Sequence, residues 1–566
     1  MTSKPHAFIA RIGATALLCA SSVALAAVID FDAEPPPQII PGDLPAGLGG
    51  SPMPGVPGVP PVLMSFQGIS QYDTAGLSRN FIPPDTMGAV GRTQYMETTN
   101  GAYAVFDKAT GNRLSLVSDT TFWNNAGQPG TPNGDTRIMY NAASQRWVTV
   151  SFGSSVSDLQ IAVSSTDDAL GQWQSVRFTG FAGGTADYPT LALDKNAVYI
   201  GTNNFKIGCD PSNPTKNRIC GTTLNVIPID SLFNAGAPTL TGMMSFTTPY
   251  TYKGPPVDSD RGFAIQGVNS STPGSVGTII ASSFFFNDNL AYNINGLTTG
   301  SALGSTLGSA SYLGMAPLQD AGPARQPATS IPANQRVIDA LDQRISSSVY
   351  ESNGRIYMVQ TVNSGLDPLD EARIRYTVID ANTFAILDEG DIGSAGYDYY
   401  QGSIAVNALG QVVIGYDRSG LDPVTGKITF MARTYTTDPG GHLVQTGSEL
   451  LLKESLTDDY HNGSRYDQPA ADRQRWGDYS QVSIDPLDDE LFWLVGEFAL
   501  EPNAPEFGHP GGTGGTRWGT WITSLDVTDL QPTVPEPATW LLMLLAAGMS
   551  LVGMRQRRVP VRRMAA

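Results

Sequence analysis

Residue types that carry metal and nucleophilic chemistry are scarce in this chain. Its 566 residues include 3 cysteines and 4 histidines. Zinc sites need several Cys or His ligands, and Ser-His-Asp hydrolases need a histidine beside the nucleophile, so both classes are disfavoured. Charged residues amount to 15%, with 34 Lys and Arg against 52 Asp and Glu. The low basic content argues against a nucleic-acid partner, because phosphate binding needs clustered Lys and Arg.

Uninterrupted helical stretches are also missing, because 61 glycines and 40 prolines break up the sequence. In the body of the chain, segment 332–341 is the one convincing candidate for a short helix. Hydrophobic residues reach 41%, which is too apolar for a wholly disordered chain. The composition therefore predicts a turn-rich, acidic and mostly β protein.

An export signal is predicted at the N-terminus. Two basic residues precede an apolar stretch at 12–26 that ends in an Ala-Leu-Ala pattern. We therefore expect a signal peptide at 1–26 that signal peptidase removes after Ala26. Cys19 follows a leucine, whereas lipid-modified cysteines usually follow Gly, Ala or Ser, so a plain signal peptide is favoured over an acylated anchor. Residues 27–64 are dominated by Pro and Gly and predict an extended linker.

Three features follow one another within residues 534–558 at the C-terminus. Pro535, Glu536 and Pro537 come first, and a predicted transmembrane helix at 540–554 is just long enough to cross a bilayer. A basic cluster directly follows this helix and consists of Arg555, Arg557 and Arg558. Under the positive-inside rule the cluster stays in the cytoplasm, so the body lies outside the inner membrane.

These features resemble the PEP-CTERM sorting signal of bacterial surface proteins, which consists of Pro-Glu-Pro, one hydrophobic helix and a basic tail. In this chain a basic cytoplasmic tail at 559–566 completes the pattern. The resemblance implies that an exosortase removes the helix, so that anchoring in the inner membrane is transient. The body would then reach the cell surface or the extracellular space of a Gram-negative bacterium that makes extracellular polysaccharide. The alternative is a membrane anchor that stays.

A disulfide is predicted in the body. Once Cys19 is removed, Cys209 and Cys220 remain as an even pair in an exported chain, at the two ends of a polar loop. Closing a loop of this length stabilises a fold by about 3 kcal/mol in the loop-entropy model. Metal binding by the pair is the weaker interpretation, because no further Cys or His lies nearby.

A hairpin unit recurs through the middle of the chain. Apolar residues at alternating positions precede Asp or Asn, a short turn and a second apolar strand, and the clearest Asx residues are Asn141, Asp194, Asn407 and Asp485. Weaker copies lie at 88–96, 263–281 and 349–359. Units that recur every ~40 to 50 residues are typical of β-propellers. We predict an all-β fold with a single propeller of about seven blades, with six or eight as alternatives. It would occupy residues 65–530, and an array of two-sheet sandwiches is the rival architecture.

Several segments of the body carry a second resemblance: 83–91, 104–111, Trp147, 162–173 and 475–480. They resemble secreted bacterial sialidase-like β-propeller proteins of the BNR or Asp-box type. The part from Ser165 to Trp173 approximates the Asp-box Ser-x-Asp-x-Gly-x-Thr-Trp, with its Gly two positions late. Asp-boxes stabilise turns on the propeller rim, so the resemblance implies a fold rather than an activity.

Sialidase activity is not favoured by the sequence. That activity needs three arginines that grip the substrate carboxylate, a tyrosine nucleophile and an acid/base carboxylate. The Arg-Ile-Pro motif near the first arginine is missing, and the other arginines follow no pattern that assigns them: Arg344, Arg373, Arg375, Arg465 and Arg475. A glycoside hydrolase that uses another pair of carboxylates stays open as the alternative, because two such acids meet only in the fold.

The most distinctive segment of the body contains Arg475, Trp476, Asp478 and Tyr479. One interpretation is a binding face at the mouth of the central channel, where an aromatic platform and an ion pair suit a sugar ring. The other is a packed core of the closing blade, in which the aromatic rings pack with Trp493 and Asp478 accepts backbone hydrogen bonds. We favour the packed core, because buried aromatic rings dominate core energetics.

No cofactor is expected. Asp458, Asp459 and segment 485–490 supply the oxygen ligands that calcium prefers, but they match no known calcium loop, and plain acidic turns are favoured. His461 is interpreted as part of a solvated loop.

The sequence therefore predicts an exported protein of the cell surface or extracellular matrix. Its predicted role is structural or adhesive, through non-covalent contact with extracellular polysaccharide or a surface protein. The acidic body suits solubility in that setting. The alternative is a carbohydrate-active hydrolase that uses carboxylates at the propeller channel.

Overall fold

The computed structural model describes residues 61–250, 260–272, 276–316, 318–327, 337–363, 371–460, 474–502 and 516–530. This part of the chain is nearly all-β, as predicted. Its helices are short: α1 (Gln71–Gly76), α2 (Asp119–Asn125) and α3 (Ile229–Leu232). None of the described helices is long and apolar enough to cross a bilayer. The predicted signal peptide, most of the linker, the predicted membrane helix and the basic tail lie outside the described residues.

Within the described residues the strands group into seven antiparallel meanders. Strand β1 (Val62–Ser70) comes first in the chain and belongs to the last meander. The first meander contains β2 (Met87–Val90), β3 (Gln94–Thr99), β4 (Ala102–Asp107) and β5 (Arg113–Ser118). The second contains β6 (Arg137–Asn141), β7 (Arg146–Phe152), β8 (Asp158–Ser164) and β9 (Trp173–Thr179).

The next two meanders contain interrupted strands. The third contains β10 (Thr185–Asp187), β11 (Ala192–Leu193), β12 (Ala197–Ile207), β13 (Asn217–Pro228) and β14 (Met244–Pro249). The fourth contains β15 (Phe263–Ser270), β16 (Thr278–Ser282), β17 (Asn289–Asn295), β18 (Thr306–Leu307) and β19 (Ser311–Tyr312). A separate two-stranded sheet follows, made of β20 (Ala324–Arg325) and β21 (Val337–Ile338).

Regular four-stranded meanders complete the described chain. The fifth contains β22 (Val349–Ser352), β23 (Arg355–Asn363), β24 (Ala372–Asp380) and β25 (Ile386–Ile392). The sixth contains β26 (Tyr397–Val406), β27 (Gln411–Gly420), β28 (Thr429–Thr437) and β29 (Leu443–Glu454). The seventh contains β30 (Gln481–Asp485), β31 (Asp488–Pro502) and β32 (Thr516–Asp526), and β1 pairs with β32 to complete it.

The predicted hairpins are confirmed by the strand pairing. The four clearest copies form the hairpins β6–β7, β11–β12, β26–β27 and β30–β31. The Asx side chains close the turns between these strands. Asn141 Oδ1 accepts from Ala143 N at 3.0 Å, and Asp194 Oδ1 accepts from Ala197 N at 2.9 Å. The carboxyl or amide oxygen thus replaces the strand partner that the turn backbone lacks.

Apolar clusters lie between the faces of successive meanders. Val148 and Val198 belong to a cluster between the second meander and the third. Similar clusters join the third to the fourth, the fourth to the fifth, the fifth to the sixth, the sixth to the seventh and the seventh back to the first. The clusters thus run from the second meander round to the first, and contacts of β2 and β3 with β6 join the first meander to the second. Each sheet therefore packs against its neighbours, which is typical of a propeller-like arrangement.

Contacts between the first strands of the meanders follow the same order. Strand β2 contacts β6 and β30, β15 contacts β11 and β22, and β26 contacts β22 and β30. The β15–β22 contact is a parallel pairing that joins the fourth and fifth meanders into one sheet. We call β2, β6, β10, β11, β15, β22, β26 and β30 the inner strands.

The predicted helix at 332–341 is wrong in its described part. Val337 and Ile338 form strand β21, and Val337 pairs with Arg325 of β20. Both residues are β-branched, which favours extended backbone, and Ile338 is fully buried. Residues 328–336 lie outside the described residues.

A disulfide joins Cys209 and Cys220, whose Cα atoms are 5.2 Å apart. Cys209 lies in the loop after β12, and Cys220 lies within β13. The crosslink therefore ties the loop between β12 and β13 to β13, an interior strand of the third meander.

Candidate functional site

Four aspartates from different meanders lie together beside the ends of inner strands: Asp85, Asp135, Asp187 and Asp478. Asp85 precedes β2, Asp135 precedes β6, Asp187 ends β10 and Asp478 precedes β30. Burial is the first cause that raises the pKa of Asp85, and the charges of Asp478 and Asp135 raise it further. Burial and the charges of Asp187 and Asp478 likewise raise the pKa of Asp135. Burial raises the pKa of Asp187 to about 6, against the opposing charge of Arg344.

Backbone geometry places these side chains. Residues with positive φ angles recur in or just before five inner strands: Asp85 (49°), Asp135 (54°), Tyr188 (53°), Ala264 (48°) and Gln401 (57°). Left-handed backbone at a residue other than glycine is held only where the surrounding structure fixes it. The pairing register also shifts within β15 and β26 at these positions, and such bulges redirect side chains.

Hydrogen bonds tie the aspartates across the meanders. Asp85 Oδ1 accepts from Asp478 N at 2.8 Å, and Asp85 Oδ2 accepts from Asn100 Nδ2 at 2.6 Å. Asn100 Oδ1 in turn accepts from Asp135 N at 2.9 Å. The Tyr479 hydroxyl donates to Asp135 Oδ2 at 3.1 Å. The first, second and seventh meanders are therefore linked through one polar network.

Arginine and tyrosine side chains pack against the same network. The Arg137 guanidinium lies 3.5 Å from the ring centroid of Tyr479 and 5.3 Å from that of Tyr188. The Arg344 guanidinium lies 4.5 Å from the Tyr188 ring, and the two tyrosine rings are 5.0 Å apart. Arg137 also donates to the carbonyl oxygens of Pro189 and Ser346, both at 3.1 Å. These cation–π contacts hold two arginines close to the acids.

We call the eight residues together the inner-strand cluster: Asp85, Asp135, Arg137, Asp187, Tyr188, Arg344, Asp478 and Tyr479. Its members differ in exposure. Asp135, Asp187 and Arg344 are partly exposed, whereas Arg137, Tyr188 and Tyr479 are at most 1% exposed. A ligand could reach two carboxylates and one guanidinium, whereas the tyrosine rings lie beneath them. The cluster can therefore accept hydrogen bonds from a ligand and donate to it, but it offers no ring for stacking.

The structure divides the predicted binding segment. Asp478 and Tyr479 belong to the inner-strand cluster, and Arg475 Nη2 donates to Asp478 Oδ1 at 2.8 Å. Trp476 is fully buried, with its Nε1 donating to Asp417 Oδ2 at 2.7 Å and its ring against that of Tyr460. The indole therefore presents no exposed face to a sugar.

A second group of buried acids lies in the strands of the first, sixth and seventh meanders: Glu97, Asp417 and Glu497. Glu97 Oε2 accepts from Ile69 N at 2.8 Å, and burial raises the pKa of Glu97 to about 7. Burial also raises the pKa of Asp417 and Glu497 well above the usual range. These fully buried carboxyls are structural groups rather than groups that a ligand can reach.

The described arginines among those considered for a sialidase site are each engaged with a carboxylate, and Arg475 pairs with Asp478 at 2.8 Å. Arg344 pairs with Asp342 at 2.7 Å, Arg373 with Glu371 at 2.6 Å and Arg375 with Asp391 at 2.7 Å. Arg373 and Arg375 lie in β24, whereas Arg344 precedes the inner strand β22. Arg465 lies outside the described residues.

In the acidic segment 485–490 considered for calcium, the first carboxylate has protein partners. The Asp485 carboxylate binds Lys108 Nζ at 2.9 Å and accepts from Trp493 Nε1 at 3.2 Å and Leu487 N at 3.0 Å. Within the described residues no group of three or more His, Cys, Asp or Glu side chains could hold a metal ion. His461 falls outside the described part of the chain.

Sequence reasoning missed most of the inner-strand cluster. Asp135, Arg137, Asp187 and Tyr188 were not singled out as site residues, and Arg344 was considered only as an unassigned arginine. One local signal was present in the sequence. An Asp-Thr pair that begins at Asp85 directly precedes β2, and a second pair that begins at Asp135 directly precedes β6. That signal becomes informative only once the inner strands are known.

Residues 533–558 match the model of the PEP-CTERM protein-sorting motif. The match confirms the predicted sorting motif. Such a motif implies processing by an exosortase and sorting to the cell surface or the extracellular space. No curated protein matches the chain.

Several solved structures are similar to the chain at low sequence identity. The Dos1 propeller is 8% identical with a TM-score of 0.34, over 78% of this chain and 92% of its own. A variant of the Synechocystis apocarotenoid oxygenase is 11% identical with a TM-score of 0.35, over 65% and 71% of the two chains. A protein of unknown function from Dyadobacter fermentans is 12% identical with a TM-score of 0.25, over 60% and 94%. The chain thus combines a nearly all-β body with a C-terminal PEP-CTERM sorting motif.

Proposed function

We propose that the protein is a cell-surface binding module built as a single seven-bladed β-propeller. Each meander is one blade, and β1 closes the ring by pairing with the C-terminal strand β32. Residues 1–26 direct export, and an exosortase removes the C-terminal helix of the sorting motif at residues 533–558. The module remains at the surface or in the surrounding matrix, where its role is structural or adhesive.

The observation that carries the proposal is the convergence of polar side chains from five blades at the inner-strand cluster. Ligand sites of propellers lie where inner strands meet around the axis, because each blade contributes one strand entry there. Here Asp135, Asp187 and Arg344 are the partly exposed members. Arg475 and Asp478 form a buried ion pair behind them.

The chemistry of the exposed groups favours a ligand rich in hydroxyl groups. Carboxylates accept hydrogen bonds from hydroxyls, and a guanidinium donates to ring or hydroxyl oxygens. A strongly anionic ligand would be repelled by the acidic cluster. We therefore propose that a glycan of the cell surface or extracellular matrix occupies this site.

A glycan array with the purified full-length protein tests the proposal, with Asp187→Asn and Arg344→Gln as site variants. We expect the wild type to bind a glycan, and we expect the affinity to fall at least about tenfold in both variants, because each loses one charged hydrogen bond.

The same site should make binding depend on pH. Because burial raises the pKa of Asp187 to about 6, wild-type binding should strengthen as the pH rises from 5 to 7, and the Asp187→Asn variant should lack this dependence. Asp380→Asn, at the end of β24 and outside the inner-strand cluster, is the control. Unchanged binding by both site variants would contradict the proposal.

A second candidate function is glycoside hydrolysis, favoured by the neighbouring carboxyls of Asp135 and Asp187. Both pKa values are raised, and a carboxyl that is protonated near neutral pH can act as a general acid while a second carboxylate acts as base or nucleophile. Release of reducing sugar from a bound glycan, abolished by Asp135→Asn and by Asp187→Asn, would establish this function. Binding without release supports the binding module.

A further inference from the structure

A cavity of about 470 Å³ lies between the first meander and the β8–β9 hairpin of the second. We call it the rim cavity. Its inner wall is apolar and less than a tenth exposed, and consists of Met96, Tyr103, Val105, Phe122, Ala169 and Trp173. None of the residues that line it belongs to the inner-strand cluster. The rim cavity is therefore a separate site.

Aromatic rings make up much of this wall, and they are fixed in place. Tyr103 and Phe122 stack with centroids 3.9 Å apart, and Trp173 meets Phe122 edge-on at 5.0 Å. Trp173 Nε1 donates to Ala169 O at 2.9 Å, which fixes the indole against its own turn. The Tyr103 hydroxyl lies 3.3 Å from Thr149 Oγ1, so the polar atoms of both rings have partners and the rings present carbon to the cavity.

Hydrogen bonds also join the two sides of the cavity. Gln94 of the first meander donates from Nε2 to Asp168 Oδ1 at 2.8 Å and accepts at Oε1 from Ala169 N at 2.7 Å. At the other end, Ser175 Oγ donates to Ala126 O at 2.5 Å. Both walls are therefore held apart at a fixed distance, so a ligand needs little reorganisation of the protein to enter.

The rim of the cavity is polar and carries no charge. Asn125, Gln172 and Gln174 are exposed, and Ser115 is half-buried. Their side chains make no hydrogen bond within the described residues. Among the described residues that line the cavity there is no Asp, Glu, Lys, Arg or His, and the nearby Asp168 carboxylate is bonded to Gln94. This uncharged lining contrasts with the inner-strand cluster and with the acidic chain as a whole.

We propose that the rim cavity binds a neutral saccharide segment. A sugar ring has an apolar C–H face that packs on aromatic and aliphatic carbon, and hydroxyl groups that both donate and accept, as the three carboxamides do. The volume falls within the range of ~300 to 1,000 Å³ that is usual for small-ligand sites. An acidic sugar finds no cation here. A proline-rich segment lacks the N–H donors that the amide oxygens need.

Titration of the full-length protein with three probes tests the inference: a panel of neutral tetrasaccharides, the corresponding uronic-acid tetrasaccharides and a proline-rich peptide. We expect at least one neutral tetrasaccharide to bind. The double variant Gln172→Ala with Gln174→Ala should raise its Kd at least about tenfold, because two hydrogen bonds are lost. Ser115→Trp, which fills the cavity, should have the same effect.

Two control variants separate this site from others. Gln445→Ala removes an exposed glutamine from β29, the outer strand of the sixth meander, and should leave the Kd unchanged. Asp187→Asn should also leave the Kd of the neutral tetrasaccharide unchanged. A failure of the proposed glycan site at the inner-strand cluster can therefore be distinguished from a failure of the rim-cavity proposal. The inference is overturned if no neutral tetrasaccharide binds at millimolar concentration, if the uronic acids or the peptide bind better, or if the double variant binds as the wild type does.

Discussion

At the scale of single residues, the protein buries carboxyl groups where strands of different meanders meet. Glu97 is fully buried, and it accepts hydrogen bonds from Ile69 N at 2.8 Å and from the Thr86 hydroxyl at 3.2 Å. These bonds favour the charged form, but burial outweighs them and raises the pKa of Glu97 to about 7. The folded protein therefore keeps the Glu97 proton at pH values where the unfolded chain has lost it.

We expect this proton to make stability depend on pH. The stabilising effect is fully present below pH 4.5, the usual pKa, and is lost as the pH rises to about 7. The loss amounts to about 3 kcal/mol of unfolding free energy. Glu97→Gln keeps a neutral side chain with hydrogen-bonding groups and removes this component, so urea unfolding at pH 4.5 and pH 7.5 should show a smaller decrease in the variant.

The control for this measurement is Glu454→Gln, which alters a carboxyl that is 44% exposed and pairs with Lys427. Its pH dependence should equal that of the wild type. An equal decrease in the Glu97→Gln variant would show that Glu97 ionises normally in the folded protein.

At the scale of strands, the first described strand completes the sheet made by the last strands of the chain. Strand β1 pairs with β32, and Phe66 lies opposite Ile522. The Phe66 ring is 5% exposed and lies 5.1 Å from the ring of Phe106 in the first meander. Strand β1 therefore links the seventh meander to the first through buried apolar contacts.

Phe66→Ala should destabilise this closure. Removing a buried phenylalanine ring costs about 3 to 5 kcal/mol of unfolding free energy. Leu63→Ala on the same strand is the control, because Leu63 is 45% exposed, and it should change the free energy by less than about 0.5 kcal/mol. Denaturant unfolding of both variants measures the difference, and equal effects would mean that β1 is not part of the cooperative fold.

Strand-level prediction succeeded where the signal was local. Alternating apolar residues before an Asx residue predicted the hairpins, because the strand period and the turn hydrogen bonds depend on neighbours in sequence. The helix prediction at 332–341 was wrong at Val337 and Ile338, because pairing with β20 and burial favour extended backbone there. Tertiary contacts override weak helix propensity in such short segments.

At the scale of the whole molecule, the sorting motif determines where the body is delivered. We expect combined replacement of Pro535, Glu536 and Pro537 by alanine to block processing, because the Pro-Glu-Pro element lies within the matched motif. Fractionation of cells should then show the protein in the membrane fraction at its unprocessed mass. Pro532→Ala, just outside the matched residues, should be processed normally. Surface delivery of the triple variant would contradict this role of the motif.

The sequence by itself determined the C-terminal sorting motif, the hairpins and the all-β class, because each depends on a short run of residues. Only the tertiary structure decided the inner-strand cluster and the rim cavity. Asp85 and Asp478 are 393 positions apart, yet the backbone of one donates to the carboxylate of the other. Such groups meet because each sheet must bury its faces against its neighbours, and that requirement brings the strand entries of distant meanders to one place.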